Sequence, residues 1–288
     1  MLARFLTRLI DGQAAWARPF GDFNHRWLLA LFGPIRPVKD FLNGTWLGHP
    51  VHAAVTDVPI GLFTGVILLD LLNERAAADA VLVLGILAMV AAAVIGLADY
   101  TDTDGTARLR ATVHGTLMVV TLLVYLLSLA LRVGNPVDRT APVIVSLLAY
   151  GLITAGAYVG GDVVYALGNM VSRHAFRGAG AKWLPVELPM PASELPEGTP
   201  TKAKLGVNNL VLVRMGTTIH ALHEQCAHAG GPLSAGTIVD GCIQCPWHGS
   251  RFRLENGYLA RGPAVYDQPA YEVRATEKGG LEARRRST

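Results

Sequence analysis

Three stretches of this chain contain no acidic or basic charge at all: 80–98, 111–131 and 140–161. A fourth, 58–69, lies between Asp57 and Asp70. A helix needs about 20 apolar residues to cross the hydrocarbon core of a bilayer. Inside lipid every backbone N–H and C=O must find its partner within the protein, which a helix achieves by itself. Four spans are therefore predicted, at roughly 52–72, 79–99, 112–132 and 142–166. Only 16% of the residues are charged, against about 25% in an ordinary soluble protein. The deficit is confined to the first half, and from Arg173 onward the charge density is normal. The fold class expected is multi-domain: an all-α four-helix transmembrane bundle followed by a small all-β domain.

The first 45 residues are of another kind. Leu2, Phe5, Leu6, Leu9 and Ile10 recur at helical spacing with Arg4 and Arg8 between them. This pattern predicts an amphipathic helix in the membrane interface, with Trp16, Trp27 and Trp46 as headgroup anchors. No apolar core of signal-peptide length follows. Four spans return the chain to its starting side. That side collects eleven Lys and Arg residues, Arg173, Arg177 and Lys182 among them, whereas the other side has three, Arg75, Arg132 and Arg139. The positive-inside rule makes the basic side cytoplasmic. The localisation expected is the inner membrane, multi-pass, with both termini in the cytoplasm. The net charge of +3 is spread out, with no basic patch interleaved with aromatics, so nucleic acid is not expected as a partner.

Several ionisable residues fall at the cytoplasmic ends of the spans: His49, His52, Asp57, Asp99, His114 and Asp162. Such residues are costly in a membrane and usually face the bundle interior or a polar cavity. Six at one depth predict a shared polar site. Asp70 and Asp79, towards the opposite side, read as solvated helix-end charges.

After Gly168 the pattern breaks, and Pro185, Pro189, Pro191, Pro196 and Pro200 follow within sixteen residues. Proline at that density favours extended, irregular backbone. The segment NNLVLVRMGTTIHAL reads as a β-hairpin turning at Met215–Gly216, and YEVRATEKGGLEARR resembles it. The organisation predicted is an amphipathic segment at 1–45, a four-span domain at 46–168, a linker at 169–183 and a β domain at 184–288.

That β domain contains Cys226-x-His228 and, sixteen residues later, Cys245-x-x-His248. Thiolates and imidazoles clustered in pairs indicate metal. Zinc fingers commonly group their cysteines together and their histidines together. Here each pair is mixed, which suits a [2Fe–2S] cluster with two histidines on one iron. Each loop then supplies one ligand to each iron. The third cysteine, Cys242, is left over and reads as a small buried side chain.

This stretch resembles the Rieske family, in which C-x-H is followed after about 16 residues by C-x-x-H. The likeness extends through CPWHGSRF and through RGPA at 261–264, which resembles the loop whose proline, here Pro263, covers the cluster. It spans residues 184–285. The resemblance implies a Rieske [2Fe–2S] cluster with Cys226 and Cys245 on the inner iron, and His228 and His248 on the outer iron with ring edges near the surface. It also implies a Ser250 hydroxyl bonded to the cluster. Quinol-oxidising members add a disulfide and a tyrosine; here Gly231, Trp247 and Phe252 stand at those positions. The expectation is a ferredoxin-like potential, below that of the quinol-oxidising type. The membrane half, with HPVHAAVTDVPIGLF near its start, resembles a bacterial four-span family of unknown function.

A Rieske oxygenase would need a further mononuclear iron with two histidines and a carboxylate, yet the 40 residues after His248 contain no histidine. The function expected is a membrane-bound one-electron carrier. Its cytoplasmic domain would exchange electrons with a reductase or oxidase, and with a haem or quinone site formed by His52, His114 and Asp57. The alternative is a redox-gated transporter or sensor.

Overall fold

The computed structural model describes residues 2–134, 137–175, 182–277 and 279–286. Arg177 and most of the second half of the expected linker lie outside them. The chain divides into two compact units, Met1–Leu42 with Val51–Asn169, and Asn43–Pro50 with Met170–Thr288.

The first unit is helical. Helices α1 (Leu2–Asp11), α2 (Ala14–Phe32) and α3 (Arg36–Asn43) precede the apolar ones. A short α4 (Val51–Val55) leads into α5 (Asp57–Leu71), and α6 (Arg75–Tyr100), α7 (Gly105–Gly134) and α8 (Thr140–Gly161) follow. The last ends in a π-helical turn over Asp162–Ala166. Four helical stretches, 51–71, 75–100, 105–134 and 140–166, are long and apolar enough to cross a membrane. They form two hairpins, α5–α6 and α7–α8, each more extensively packed within itself than against the other. Small residues permit this. A Cβ on Gly85 would come within 2.6 Å of the Phe63 ring, which stacks on Tyr125 at a centroid distance of 3.7 Å.

The amphipathic N-terminus buries one set of apolar residues against the bundle and exposes another. Ile10 and Ala17 join the core with Leu109 and Val113 of α7, and Leu28 and Phe32 pack with Ala98 of α6. Leu2, Phe5, Phe20, Phe23 and Trp27 face outward, which is the apolar surface an interfacial segment needs.

One expectation is corrected. Asp70 is not a solvated helix end: its side chain is 4% exposed and lies 2.5 Å from Arg132. Arg132, itself buried, also reaches Asp79 at 3.0 Å, and Asp79 pairs in turn with Arg139 at 2.7 Å. The sequence treats these charges separately, whereas the folded bundle gathers them into one network. At the other end, Lys39 and Asp102 form a buried pair at 2.6 Å.

The β-rich part of the second unit has two antiparallel sheets. Strands β1 (Leu184–Val186), β2 (Thr201–Leu205), β3 (Asn208–Met215), β4 (Thr218–His223), β9 (Ala270–Ala275) and β10 (Leu281–Arg285) pair in the order β1-β10-β9-β4-β3-β2. Strands β5 (Thr237–Val239), β6 (Cys242–Gln244), β7 (Arg251–Arg253) and β8 (Leu259–Arg261) form the second sheet in sequence order. The hairpin expected at Met215–Gly216 is β3–β4, with Gly216 in the left-handed region at φ +61°. Because side chains alternate along a strand, β3 serves two cores. Leu210 and Leu212 face one, and Val211 and Val213 face the other, which also contains Cys226, Cys245 and Phe252. The leftover Cys242 is buried, as expected.

Candidate metal centre

Two loops with the same backbone design rise from the second core. The Cys226 N–H donates to the Gly231 carbonyl at 2.9 Å, and the Gly230 N–H returns to the Cys226 carbonyl at 2.9 Å. In the second loop the Cys245 N–H donates to the Ser250 carbonyl at 2.8 Å, and the Gly249 N–H to the Cys245 carbonyl at 3.1 Å. Gly230 and Gly249, four residues after each cysteine, have φ of +85° and +78°. Such a closed turn demands a left-handed residue, which glycine supplies without strain.

Each loop aims two backbone N–H groups at its cysteine sulfur: His228 and Ala229 at Cys226, Trp247 and His248 at Cys245. The two thiols also hydrogen-bond to each other. That shared proton is the main reason Cys245 is pushed down to about 7 while Cys226 is pushed up. Both sulfurs are buried at the base of the loops. The rings of His228 and His248 lie edge to face, with centroids 4.9 Å apart.

The donor set fits a binuclear cluster. Among the described residues no three His, Cys, Asp or Glu side chains converge as a single protein-bound ion requires. Instead the donors separate into a sulfur pair and an imidazole pair. Soft thiolates bathed in N–H donors suit one iron and neutral imidazoles the other. Histidine exposure departs from expectation: His228 is 5% exposed, so the accessible edge belongs to the part-buried His248. Met170, Ala227, Pro263, Val265 and Tyr266 surround His228.

Ser250 is fully buried, and its Oγ accepts the Ala264 N–H at 3.0 Å, which ties the second loop to the Pro263 segment. At Gly231 a Cβ would lie 2.9 Å from Cys245 Sγ and 3.0 Å from the Trp247 indole. The indole occupies the space beside a residue that must stay small.

Two further residues, to which the sequence assigned no role, hold the loops. Gln268, 2% exposed, accepts the Ala227 N–H at 2.8 Å and donates to the His223 and Gln225 carbonyls at 2.6 and 2.7 Å. Arg261 donates to the Gly249 carbonyl at 2.7 Å. Gln268 stands in no recognisable motif, and Arg261 opens the RGPA stretch, whose likeness assigned a role to its proline alone.

Of the polar residues expected to share a site at the membrane ends, the structure brings together His52 and His114, with ring centroids 6.4 Å apart. Asp162 is instead engaged by Arg110, which also pairs with Asp11 at 3.0 Å. Asp57 is exposed at the first turn of α5. Asp99 is buried, and His49 is exposed and belongs to the other unit.

A profile of the Rieske [2Fe-2S] domain matches residues 183–272. Apoptosis-inducing factor 3 of Mus musculus is 32% identical over 81 residues, which are 28% of this chain and 13% of that protein. The chain therefore spans a small part of that relative. Ferredoxin CarAc of Metapseudomonas resinovorans is 31% identical over 87 residues, 30% of this chain and 81% of its own length. Among solved structures, the ferredoxin of carbazole 1,9a-dioxygenase from Nocardioides aromaticivorans IC177 is 24% identical. That match covers 37% of this chain and 100% of the other at a TM-score of 0.33.

Proposed function

The chain belongs to the Rieske [2Fe-2S] domain family through residues 183–272, and from that premise we propose that it is a membrane-bound one-electron carrier. The observation that carries this reading is the pair of matched loops, which offers two N–H-cradled thiols and two facing imidazoles. Cys226 and Cys245 hold the inner iron, and His228 and His248 the outer one. Ser250 accepts the Ala264 N–H, which leaves its own proton to donate towards the cluster, and Pro263 covers it. When bound, the cluster takes up and releases one electron at a time. The partly accessible His248 edge is where a soluble partner exchanges it.

The four apolar helices anchor the carrier in the bilayer. The excess of Lys and Arg on one side favours a cytoplasmic Rieske domain in the inner membrane, and a reducing compartment suits the absence of cysteine at Gly231 and Trp247. Several relatives are named as ferredoxins, for example the anthranilate 1,2-dioxygenase ferredoxin subunit of Burkholderia cepacia. A reductase or oxidase is the partner class this suggests. Within the membrane, a haem or quinone at His52 and His114 is the second redox site.

The test is an EPR spectrum of the detergent-purified, dithionite-reduced full chain. One spin per chain with nitrogen coupling from two imidazoles is expected, and Cys226→Ser should abolish it. A cluster without imidazole coupling, or a chain that binds zinc in place of iron, would sink the assignment.

Hydrogen bonds to cluster sulfur and its ligands raise the potential. Phe252, fully buried in the core that supports the loops, supplies none. Phe252→Tyr should raise the midpoint potential if its hydroxyl reaches a sulfur. A differential hydrogen bond of about 1 kcal/mol corresponds to roughly 40 mV for one electron. An EPR-monitored redox titration checks this, and a fall in potential would contradict it.

A further inference from the structure

His52 and His114 belong to different hairpins, yet both are held in the same way. His52 Nδ1 lies 2.9 Å from the Ala92 carbonyl oxygen of α6, and His114 Nδ1 lies 2.8 Å from the Gly156 carbonyl oxygen of α8. A carbonyl only accepts, so Nδ1 carries the proton in each ring and Nε2 keeps its lone pair. One helical turn beyond each carbonyl stands a glycine. A Cβ on Gly96 would come within 2.7 Å of the His52 ring, and one on Gly160 within 2.9 Å of the His114 ring. Each hairpin thus builds a seat for an imidazole and fixes its tautomer through the backbone. Both histidines are part-buried.

We propose that His52 and His114 are the two axial ligands of a haem held between the hairpins. This rests on the electron-carrier reading and names the cofactor of its membrane site.

The ring separation selects the ligand. An imidazole nitrogen binds a metal at about 2 Å, which puts the ring centre about 3 Å from it; two imidazoles on opposite sides of one iron then have centres about 6 Å apart. The observed 6.4 Å agrees. Two imidazoles at neighbouring corners of a tetrahedral ion come closer, to about 5 Å, which is the spacing of His228 and His248 at 4.9 Å. A bare ion would also need more protein ligands, and no third His, Cys, Asp or Glu joins the pair among the described residues. A haem brings four nitrogens of its own and asks the protein for two. A quinone carbonyl needs a hydrogen-bond donor, whereas an Nε2 lone pair can only accept. The macrocycle would lie between the hairpins, which pack less extensively against each other than within themselves.

The test uses the full chain, produced with a haem supply and purified in detergent. A reduced-minus-oxidised spectrum and a pyridine haemochrome assay should report one b-type haem per chain, six-coordinate and low-spin. His52→Ala should lose the haem or turn it high-spin. His114→Met retains an iron ligand of similar bulk; it should shift the Soret and α bands and raise the haem potential. The EPR signal of the iron–sulfur cluster, counted in the same samples, should not change. A chain with its full cluster signal that binds no haem, even when titrated with haemin, overturns this proposal and leaves the carrier reading intact. So does a bound quinone in place of haem, or a haem spectrum indifferent to both variants. A haem lost with His52 in a chain that never shows a cluster signal would support the site while overturning the carrier reading.

Discussion

His248→Cys is expected to retain a [2Fe–2S] cluster and to lower its reduction potential by on the order of 100 mV or more. The reason is charge. An imidazole ligand is neutral and a thiolate is anionic, so the exchange makes the cluster site more negative before any electron arrives. Adding the electron then becomes less favourable, and the potential falls. Clusters with two histidines lie at about −150 to +300 mV and plant-type all-cysteine clusters near −400 mV, so one exchange should cover a sizeable part of the gap. His248 is the better of the two positions to change. It is part-buried, whereas His228 is 5% exposed and enclosed by the Pro263 segment. The shorter side chain therefore disturbs less packing. The backbone N–H groups of Trp247 and His248 that point at Cys245 survive the substitution. An EPR-monitored titration of both proteins measures the shift. An unchanged or higher potential would mean that His248 does not ligate the cluster.

Arg132→Met should destabilise the helical unit by about 3–5 kcal/mol, the usual cost of stranding a buried charge. The Arg132 guanidinium meets both oxygens of Asp70, at 2.8 and 2.5 Å, and reaches Asp79 at 3.0 Å. Asp79 keeps a bidentate bond to Arg139 when Arg132 is gone. Asp70 loses both of its bonds to Arg132 while its side chain is only 4% exposed. Combining Arg132→Met with Asp70→Leu removes both charges and should recover most of the loss, because a buried pair is often replaceable by apolar packing at little cost. Thermal unfolding in detergent, followed by helical circular dichroism, compares the three proteins. Equal midpoints for the parent and Arg132→Met would show that the network contributes little. The cluster's EPR signal should be the same in all three.

Much of this architecture is legible in the linear chain. Charge-free runs at 80–98, 111–131 and 140–161 correspond to helices α6, α7 and α8, because a helix in lipid needs only its own backbone partners and a continuous apolar surface. The β3–β4 hairpin could be read for a similar reason: β-branched and apolar residues flank a glycine that must take a positive φ. The spacing of Cys226, His228, Cys245 and His248 is legible because each loop positions two ligands within a few residues of one another.

What stayed hidden acts over long sequence distances. Nothing near Asp70 distinguishes it from a solvated helix end; Arg132, 62 residues away, decides otherwise. Gln268 bonds Ala227 across 41 residues and His52 bonds Ala92 across 40. Asp57 and His52 look equivalent in sequence, yet one is exposed and the other is turned onto Gly96. Local periodicity, apolar length and ligand spacing are short-range properties, so the linear chain already carries the four long apolar helices, the β-rich C-terminal domain and the four clustered Cys and His residues. Only the tertiary structure decided which charges pair, how the two loops are held and which histidines face each other, because those depend on which distant helix faces and carbonyls the fold brings together.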